Sequence, residues 1–173
     1  MEMLYSKIVG MPVFSADSVR PHFSVQDIVF DPDNGKVIGI LVDRRGQNLI
    51  APMDIISIKH GVLISSANDV VGVDDVLRVK EVFDDGRNII GKKVKTESGD
   101  SLGKVVDASI DGLGLSLVKI HTAKVVLGMV HHDSRIFPMK SIVEVNESFV
   151  VVQDDDGKVA EKEKKAETAA ATG

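Results

Sequence analysis

Ligand-type side chains are densest at His131-His132-Asp133. Zinc binds such groups when three or four of them converge on one point. Adjacent residues of a strand point to opposite faces of a sheet, so His131 and His132 do not easily share one metal ion. A third ligand, such as His121, would have to come from a neighbouring strand. The spacing favours a polar strand end, and we expect no metal site.

The run Asp31-Pro32-Asp33-Asn34-Gly35 has some likeness to a calcium-binding loop. Such a loop carries a glutamate at its twelfth position, which here is Val42. A proline at the second position of a turn and a glycine at its end instead predict a hairpin. We therefore expect a turn and no bound calcium.

Two aspartates of the first half recur in the second, Asp27 as Asp107 and Asp31 as Asp111. Paired carboxylates can do acid–base chemistry, but an aspartate at a strand end more often accepts hydrogen bonds from the next turn. The chain has no cysteine, no Gly-x-Ser-x-Gly elbow and no phosphate-binding glycine loop. We expect no catalytic residue, no cofactor and no small-molecule substrate, and hence no enzyme.

β-Branched side chains are abundant, with 27 valines and 15 isoleucines among 173 residues. This composition favours strands over helices. Three blocks of sequence recur in the same order, which indicates two similar halves. The matched blocks are 8–13 with 89–94, 25–31 with 105–111, and 50–53 with 136–139.

Each half is predicted to consist of short strands. Residues 37–42 are apolar throughout, which is typical of a strand buried on both faces. The second half should place strands at 115–122 and 124–131. Pro52 and Pro138 cannot donate a hydrogen bond to a ladder, so each should end a strand and open a helical corner.

Residues 68–86 break the strand pattern and predict a short connecting helix. Asp74 or Asp75 can cap its N-terminus. The predicted apolar face holds Val76, Val79 and Phe83. We expect this face to lie in an interface between the two halves.

The order of these motifs resembles the PRC-barrel domain. The first copy carries Gly-x-x-Val at 10–13 and the strand and hairpin of 25–37. The second carries Gly-x-x-Val at 91–94 and the run Gly-x-x-Leu-Gly-Lys-Val-x-Asp at 99–107. In the first copy, residues 15–24 replace the expected glycine-rich hairpin.

The resemblance implies an all-β chain with two small, strongly bent β-barrels in tandem, joined by a short helix. The expected domains are a first barrel at 1–67, a helical connector at 68–86, a second barrel at 87–153 and a disordered charged tail at 154–173. PRC-barrel domains occur in the photosynthetic reaction-centre H subunit and in the ribosome maturation factor RimM, where they bind other macromolecules. The resemblance thus implies a non-enzymatic adaptor for a protein partner, or alternatively a factor that associates with RNA or the ribosome.

The net charge of −5 argues against a general nucleic-acid coat protein. Residues 87–153 nevertheless carry nine basic against seven acidic side chains, which keeps an RNA partner open. No apolar run is long enough to span a membrane, and the first residues do not form a signal peptide. The sequence therefore predicts a cytoplasmic protein.

The two halves differ most at 15–24 and at 115–135, and segments that diverge between repeats are free to contact partners. Arg20 and Phe23 lie in the first segment, where an aromatic ring can act as an anchor. Met129 and His131 lie in the second, where a flexible methionine suits an adaptable contact. These four residues are the predicted partner contacts.

Overall fold

The computed structural model of this chain describes residues 1–127, 129–130 and 134–154. Strands dominate this part of the chain, as the valine and isoleucine content predicts, and the all-β class is confirmed. The strands of the first half are β1 (Glu2–Leu4), β2 (Pro12–Ser15), β3 (Phe23–Ser24), β4 (Asp27–Phe30), β5 (Val37–Leu41), β6 (Asn48–Ile50), β7 (Ile55–Ile58), β8 (Val62–Ile64) and β9 (Val70–Gly72). Those of the second half are β10 (Lys93–Thr96), β11 (Ser101–Asp111), β12 (Ser116–Ala123), β13 (Val125–Val126), β14 (Met129–Val130), β15 (Arg135–Pro138), β16 (Ile142–Val145) and β17 (Phe149–Val152). The α-helices are α1 (Tyr5–Ile8) and α2 (Leu77–Asp84).

Except for β1, β9 and the pair β13 and β14, the strands pair in the same order in the two halves. In the first half, one sheet has the order β3-β2-β8-β7 and another the order β4-β5-β6-β9. In the second half, the corresponding pairs join in one sheet of order β15-β12-β11-β10-β17-β16. The single long β11 takes the place of both β3 and β4, which explains why one sheet replaces two. As described, the sheets are open, and two closed barrels remain a prediction.

The predicted turn and proline corners are confirmed. The backbone of Asp31 and Gly35 closes the hairpin between β4 and β5, with Gly35 at a φ of 74°. Pro52 begins a 3₁₀ turn, Pro52–Asp54. Pro138 ends β15, and the 3₁₀ turn Met139–Ser141 follows it.

The strand predicted at 124–131 is wrong. β12 ends at Ala123, and the short strands β13 and β14 then pair with each other in a separate two-stranded sheet. We call this hairpin, residues 125–130, the arm. Its apolar sequence is typical of a sheet strand, but its register pairs Val126 with Met129, so the chain reverses between these two residues.

A helix, α2, lies within 68–86 as predicted, but the same segment also contains β9, which pairs with β6, so the prediction that 68–86 holds no strand is wrong. The cap and the docking surface of the helix also differ from the prediction. Its N-cap residue is Val76, while Asp75 accepts a hydrogen bond from the Gly72 N–H in the preceding 3₁₀ turn. The prediction of an aspartate cap is therefore wrong. The buried residues of the helix pack on the first half, whereas Phe83 lines a small pocket together with Ile89 and Ile90 of the second half. Its buried residues Val79 and Val82 join a cluster with Val29, Leu41 and Leu49.

This docking explains why β5 is apolar on both faces. One face contributes Leu41 to the cluster under α2, and the other contributes Val37 and Ile40 to the main core. The main core is continuous between the halves, since Ile8 and Ile64 of the first half and Phe137 and Val150 of the second belong to one buried cluster. A shared core therefore joins the two halves.

The N-terminal strand crosses between the halves. β1 pairs antiparallel with β11 of the second half, where Met3 lies opposite Ile110. The hairpin of the first half also contacts the second half, because the Val37 N–H donates to the Leu115 carbonyl at 2.8 Å. Among the described residues, no helix is long and apolar enough to cross a membrane.

Candidate functional site

The recurring aspartates at the hairpin turns, Asp31 and Asp111, accept backbone hydrogen bonds. Asp31 accepts from the Asp33 N–H at 2.9 Å. Asp111 accepts from the N–H groups of Leu113 and Gly114 at 3.3 and 3.0 Å. Each carboxylate therefore closes its turn, as the sequence predicts.

The other recurring pair, Asp27 and Asp107, binds the first helix. The Tyr5 hydroxyl donates to Asp27 at 2.7 Å, and the Ser6 hydroxyl donates to Asp107 at 2.6 Å. Burial and the hydrogen bond to Asp27 both raise the pKa of Tyr5. Two neighbouring residues thus connect equivalent positions of the two halves. Sequence reasoning missed Tyr5 and Ser6, because they lie outside the repeated blocks.

An ion-pair network joins the first hairpin, helix α2 and the second half. Arg78 donates to Asp31 at 2.9 Å and to Asp33 at 2.5 Å. Arg87 pairs with Asp33 at 2.5 Å and donates to the Val145 carbonyl at 2.7 Å. The hydrogen bond from Arg78 lowers the pKa of Asp31, and those from Arg87 and Arg78 lower the pKa of Asp33. The network fixes the relative position of these elements.

Two predicted partner contacts, Arg20 in the loop between β2 and β3 and Phe23 at the start of β3, have different environments. Arg20 is exposed. Phe23 is half-buried, lies opposite Val13 in the strand register and packs against the main core. The phenylalanine therefore contributes to stability as well as to any contact that it makes.

The same loop exposes a residue that the sequence analysis did not single out. The side chain of Val19 is 96% exposed. The loop around it is held by hydrogen bonds, since the Ser15 hydroxyl donates to Asp17 at 2.6 Å and lies 2.9 Å from His22 Nε2. Because one hydroxyl carries one proton, the imidazole Nε2–H must donate to Ser15. An ordered loop thus presents an apolar side chain to solvent.

The remaining predicted contacts lie in and beside the arm. Met129 belongs to β14, and His131 falls outside the described residues. Among the arm residues whose side chains the structure describes, Val126 is 51% exposed and Leu127 is 94% exposed. Val126 and Leu127 are therefore further candidate partner contacts within the predicted segment 115–135.

Leu127 has a backbone conformation that leucine rarely adopts, with a φ of 52°. It follows Val126, which pairs with Met129, and positive φ is favoured at such a hairpin reversal, where asparagine before glycine is the usual choice. A leucine there costs about 1–2 kcal/mol relative to a residue that tolerates this conformation. The Leu-Gly pair at 127–128 was the available sequence signal, because a leucine stands where an asparagine would fit better.

Leu115 is the other described non-glycine residue with positive φ, at 46°. Its side chain is partly buried and packs against the main core. Its carbonyl also accepts the hydrogen bond from Val37. Packing and cross-half contact offset the strain at Leu115, whereas Leu127 is almost wholly in solvent.

In the described part of the chain, no three His, Asp or Glu side chains lie close enough together to hold a metal ion. The cluster at 131–133 lies outside that part.

The comparisons with known proteins bear on the first half of the chain. No curated protein matches the chain. Residues 1–82, from β1 to within helix α2, match the family model of the PRC-barrel domain. The match covers the first of the two predicted copies and does not extend over the second. Over residues 1–82, this protein is therefore similar to the PRC-barrel domain family.

Proposed function

We propose that this protein is a non-enzymatic adaptor that captures a protein partner through the arm. The observation that carries the proposal is Leu127, which is 94% exposed and held at positive φ. Strained residues that bring no gain within the fold tend to occur at functional sites. The exposed leucine side chain offers apolar surface that a protein partner can remove from water.

The neighbouring surface supports the same function. Val126 exposes a second apolar side chain next to Leu127. Val19 is a further exposed apolar side chain, and it lies in 15–24, the other segment where the two halves differ. The match of residues 1–82 to the PRC-barrel domain agrees with the proposal, because such domains are often interaction modules.

We also propose that residues 87–153 form a second domain of the PRC-barrel type. The support is the repeated pairing, in which β10 pairs parallel with β17 as β2 pairs with β8. An experimental structure with a different strand order in this half would contradict the proposal.

The test of the adaptor function is a cross-linking pull-down from native lysate with the tagged full chain. Leu127→Asn keeps a residue that tolerates positive φ and removes the apolar side chain. We expect this variant to lose the partner that the unchanged protein enriches.

The matched control is Leu113→Asn. Leu113 is also a leucine on a hairpin turn, and it is 84% exposed. We expect this control to keep the partner. Equal recovery with both variants would place the interface elsewhere and would refute a role for the arm.

Association with RNA or the ribosome is the alternative function, and the basic excess of residues 87–153 favours it. Affinity for phosphates falls steeply as salt rises. A titration of the full chain against ribosomal RNA over a range of salt separates the alternatives. Absence of binding at low salt would eliminate the RNA function.

A further inference from the structure

The second half contains an open cavity of about 490 Å³. It lies beside β10 and β11, next to the turn that precedes β17. The residues lining it that bear on its chemistry are Asn88, Lys92, Lys93, Lys104, Glu147 and Phe149. Three of these side chains are cationic and one is anionic.

Lys93 and Lys104 lie directly opposite each other in the antiparallel register of β10 and β11. Residues opposite in such a pair project on the same face, with their Cβ atoms about 5 Å apart. Within the described residues, neither lysine forms a salt bridge. Two like charges directly opposite each other destabilise a sheet. A bound anion between the two ammonium groups would remove this repulsion.

Lys92 is engaged within the protein and is not part of this pair. Its ammonium donates to the carbonyls of Gly86 and Glu147, the latter at 2.9 Å. Burial lowers the pKa of Lys92, and the Glu147 carboxylate opposes that shift. The uncompensated charge of the cavity is therefore that of Lys93 and Lys104.

We propose that this cavity binds an acidic segment of the protein partner, with one side-chain carboxylate held between Lys93 and Lys104. Ammonium groups bind carboxylates through charge-assisted hydrogen bonds. The proposal rests on the adaptor function and adds the chemistry of a second contact, separate from the apolar arm.

One feature favours a peptide over a nucleic acid. The Nζ of Lys95 lies 4.5 Å from the centroid of the Phe149 ring, so a cation and not a base occupies this face of the ring.

The experiment measures binding of a short fluorescent peptide of repeating Glu-Glu-Ser to the full chain by anisotropy. The variant Lys93→Gln/Lys104→Gln removes the paired charges. We expect it to weaken binding about tenfold, since two charge pairs are lost. Labelled single-stranded RNA of matched charge is the comparison probe, and we expect it to bind more weakly than the peptide.

The control variant Lys59→Gln/Lys140→Gln makes the same change in net charge at two other exposed lysines. We expect its affinity for the peptide to change less than twofold. An equal loss in both variants would show non-specific attraction and overturn the proposal. Preferential binding of RNA that depends on Lys93 and Lys104 would overturn it in favour of a nucleic-acid site.

A stability measurement provides a second readout. Because like charges face each other, Lys104→Gln alone should raise the Tm by about 1–2 °C without ligand while it weakens peptide binding. A lower Tm would show that the lysine serves the fold. The peptide assay does not involve the arm, so its failure would leave the result for Leu127→Asn, and the adaptor function, standing.

Discussion

At the scale of single residues, the two leucines with positive φ, Leu115 and Leu127, have the same unusual backbone conformation but different surroundings. Leu115 is partly buried against the main core, whereas Leu127 is exposed. The sequence marks both as apolar residues near glycines and does not distinguish them. Only the packing shows that one strained leucine is compensated within the chain and the other is not.

Replacing these leucines with asparagine separates the two cases. Leu127→Asn should leave the free energy of unfolding unchanged or raise it by up to about 1 kcal/mol, because asparagine tolerates positive φ. Leu115→Asn should lower it by about 2 kcal/mol, because buried apolar surface is lost. Chemical denaturation measures both values. A comparable loss in the two variants would show that Leu127 also packs within the fold.

A second residue-scale prediction concerns Arg78. The variant Arg78→Met leaves the mostly buried Asp31 carboxylate without its cation, and we expect a loss of about 1–3 kcal/mol in unfolding free energy. Lys80→Met is the control on the same helix. Lys80 pairs with Asp74 and Asp84 at the surface, so its loss should cost no more than about 0.5 kcal/mol.

The effect of Arg78→Met on stability should depend on pH, because Arg78 lowers the pKa values of Asp31 and Asp33. A carboxylate whose pKa is lower in the folded state stabilises the fold above its unfolded pKa. That stability is lost as pH falls through the folded value. Below about pH 4, the unchanged protein should therefore lose stability more steeply than Arg78→Met. If the unfolding free energies of the unchanged protein and of Arg78→Met fell in parallel as the pH was lowered, the stabilising role of the Arg78 ion pairs would be contradicted.

At the scale of elements, local turn chemistry made much of the fold predictable. The hairpin between β4 and β5 followed from proline and glycine at 32 and 35, and the helical corners followed from Pro52 and Pro138. The helix cap could not be predicted, because Asp75 satisfies the Gly72 N–H in a separate 3₁₀ turn. The arm was missed because 124–131 is apolar enough for one strand, and periodicity does not reveal the reversal between Val126 and Met129.

The glycine of the run Leu102-Gly103-Lys104 provides the element-scale prediction. Gly103 has a φ of 91°, and a Cβ there would lie 2.1 Å from the Ala123 carbonyl oxygen in the neighbouring strand. We expect Gly103→Ala to cost more than about 3 kcal/mol, or to prevent folding, since the backbone of two strands must separate.

Gly99→Ala is the matched control. Gly99 has a φ of 98°, but no atom lies within 4 Å of a Cβ at that position. This variant should cost only the conformational strain, about 1–2 kcal/mol. Equal Tm values for the two variants would mean that close strand approach does not explain Gly103.

At the scale of the whole molecule, the recurring blocks predicted two similar halves but not how they join. β1 pairs with the other half, and Tyr5 and Ser6 bind the recurring aspartates. These residues have no counterpart among the matched blocks, so no comparison of the halves could reveal them. The shared core also could not be predicted, because apolar periodicity does not say which half a buried face meets.

A shared core predicts one cooperative unfolding transition. Ile64→Val in the first half and Phe137→Leu in the second should both shift the same transition, by about 1 kcal/mol each. Thermal unfolding followed by circular dichroism, together with amide hydrogen exchange, measures this. Two transitions, with each variant moving only one, would show that the halves unfold independently.

The proposed adaptor function rests on Leu127, and the most direct test is the affinity of the captured partner for the full chain. With the partner from the pull-down, Leu127→Asn should raise Kd about tenfold or more, as loss of an apolar anchor does. Leu113→Asn should change Kd less than twofold, and all three proteins should keep the same Tm within the small gain expected for Leu127→Asn. An unchanged Kd for Leu127→Asn would contradict the proposed role of the arm.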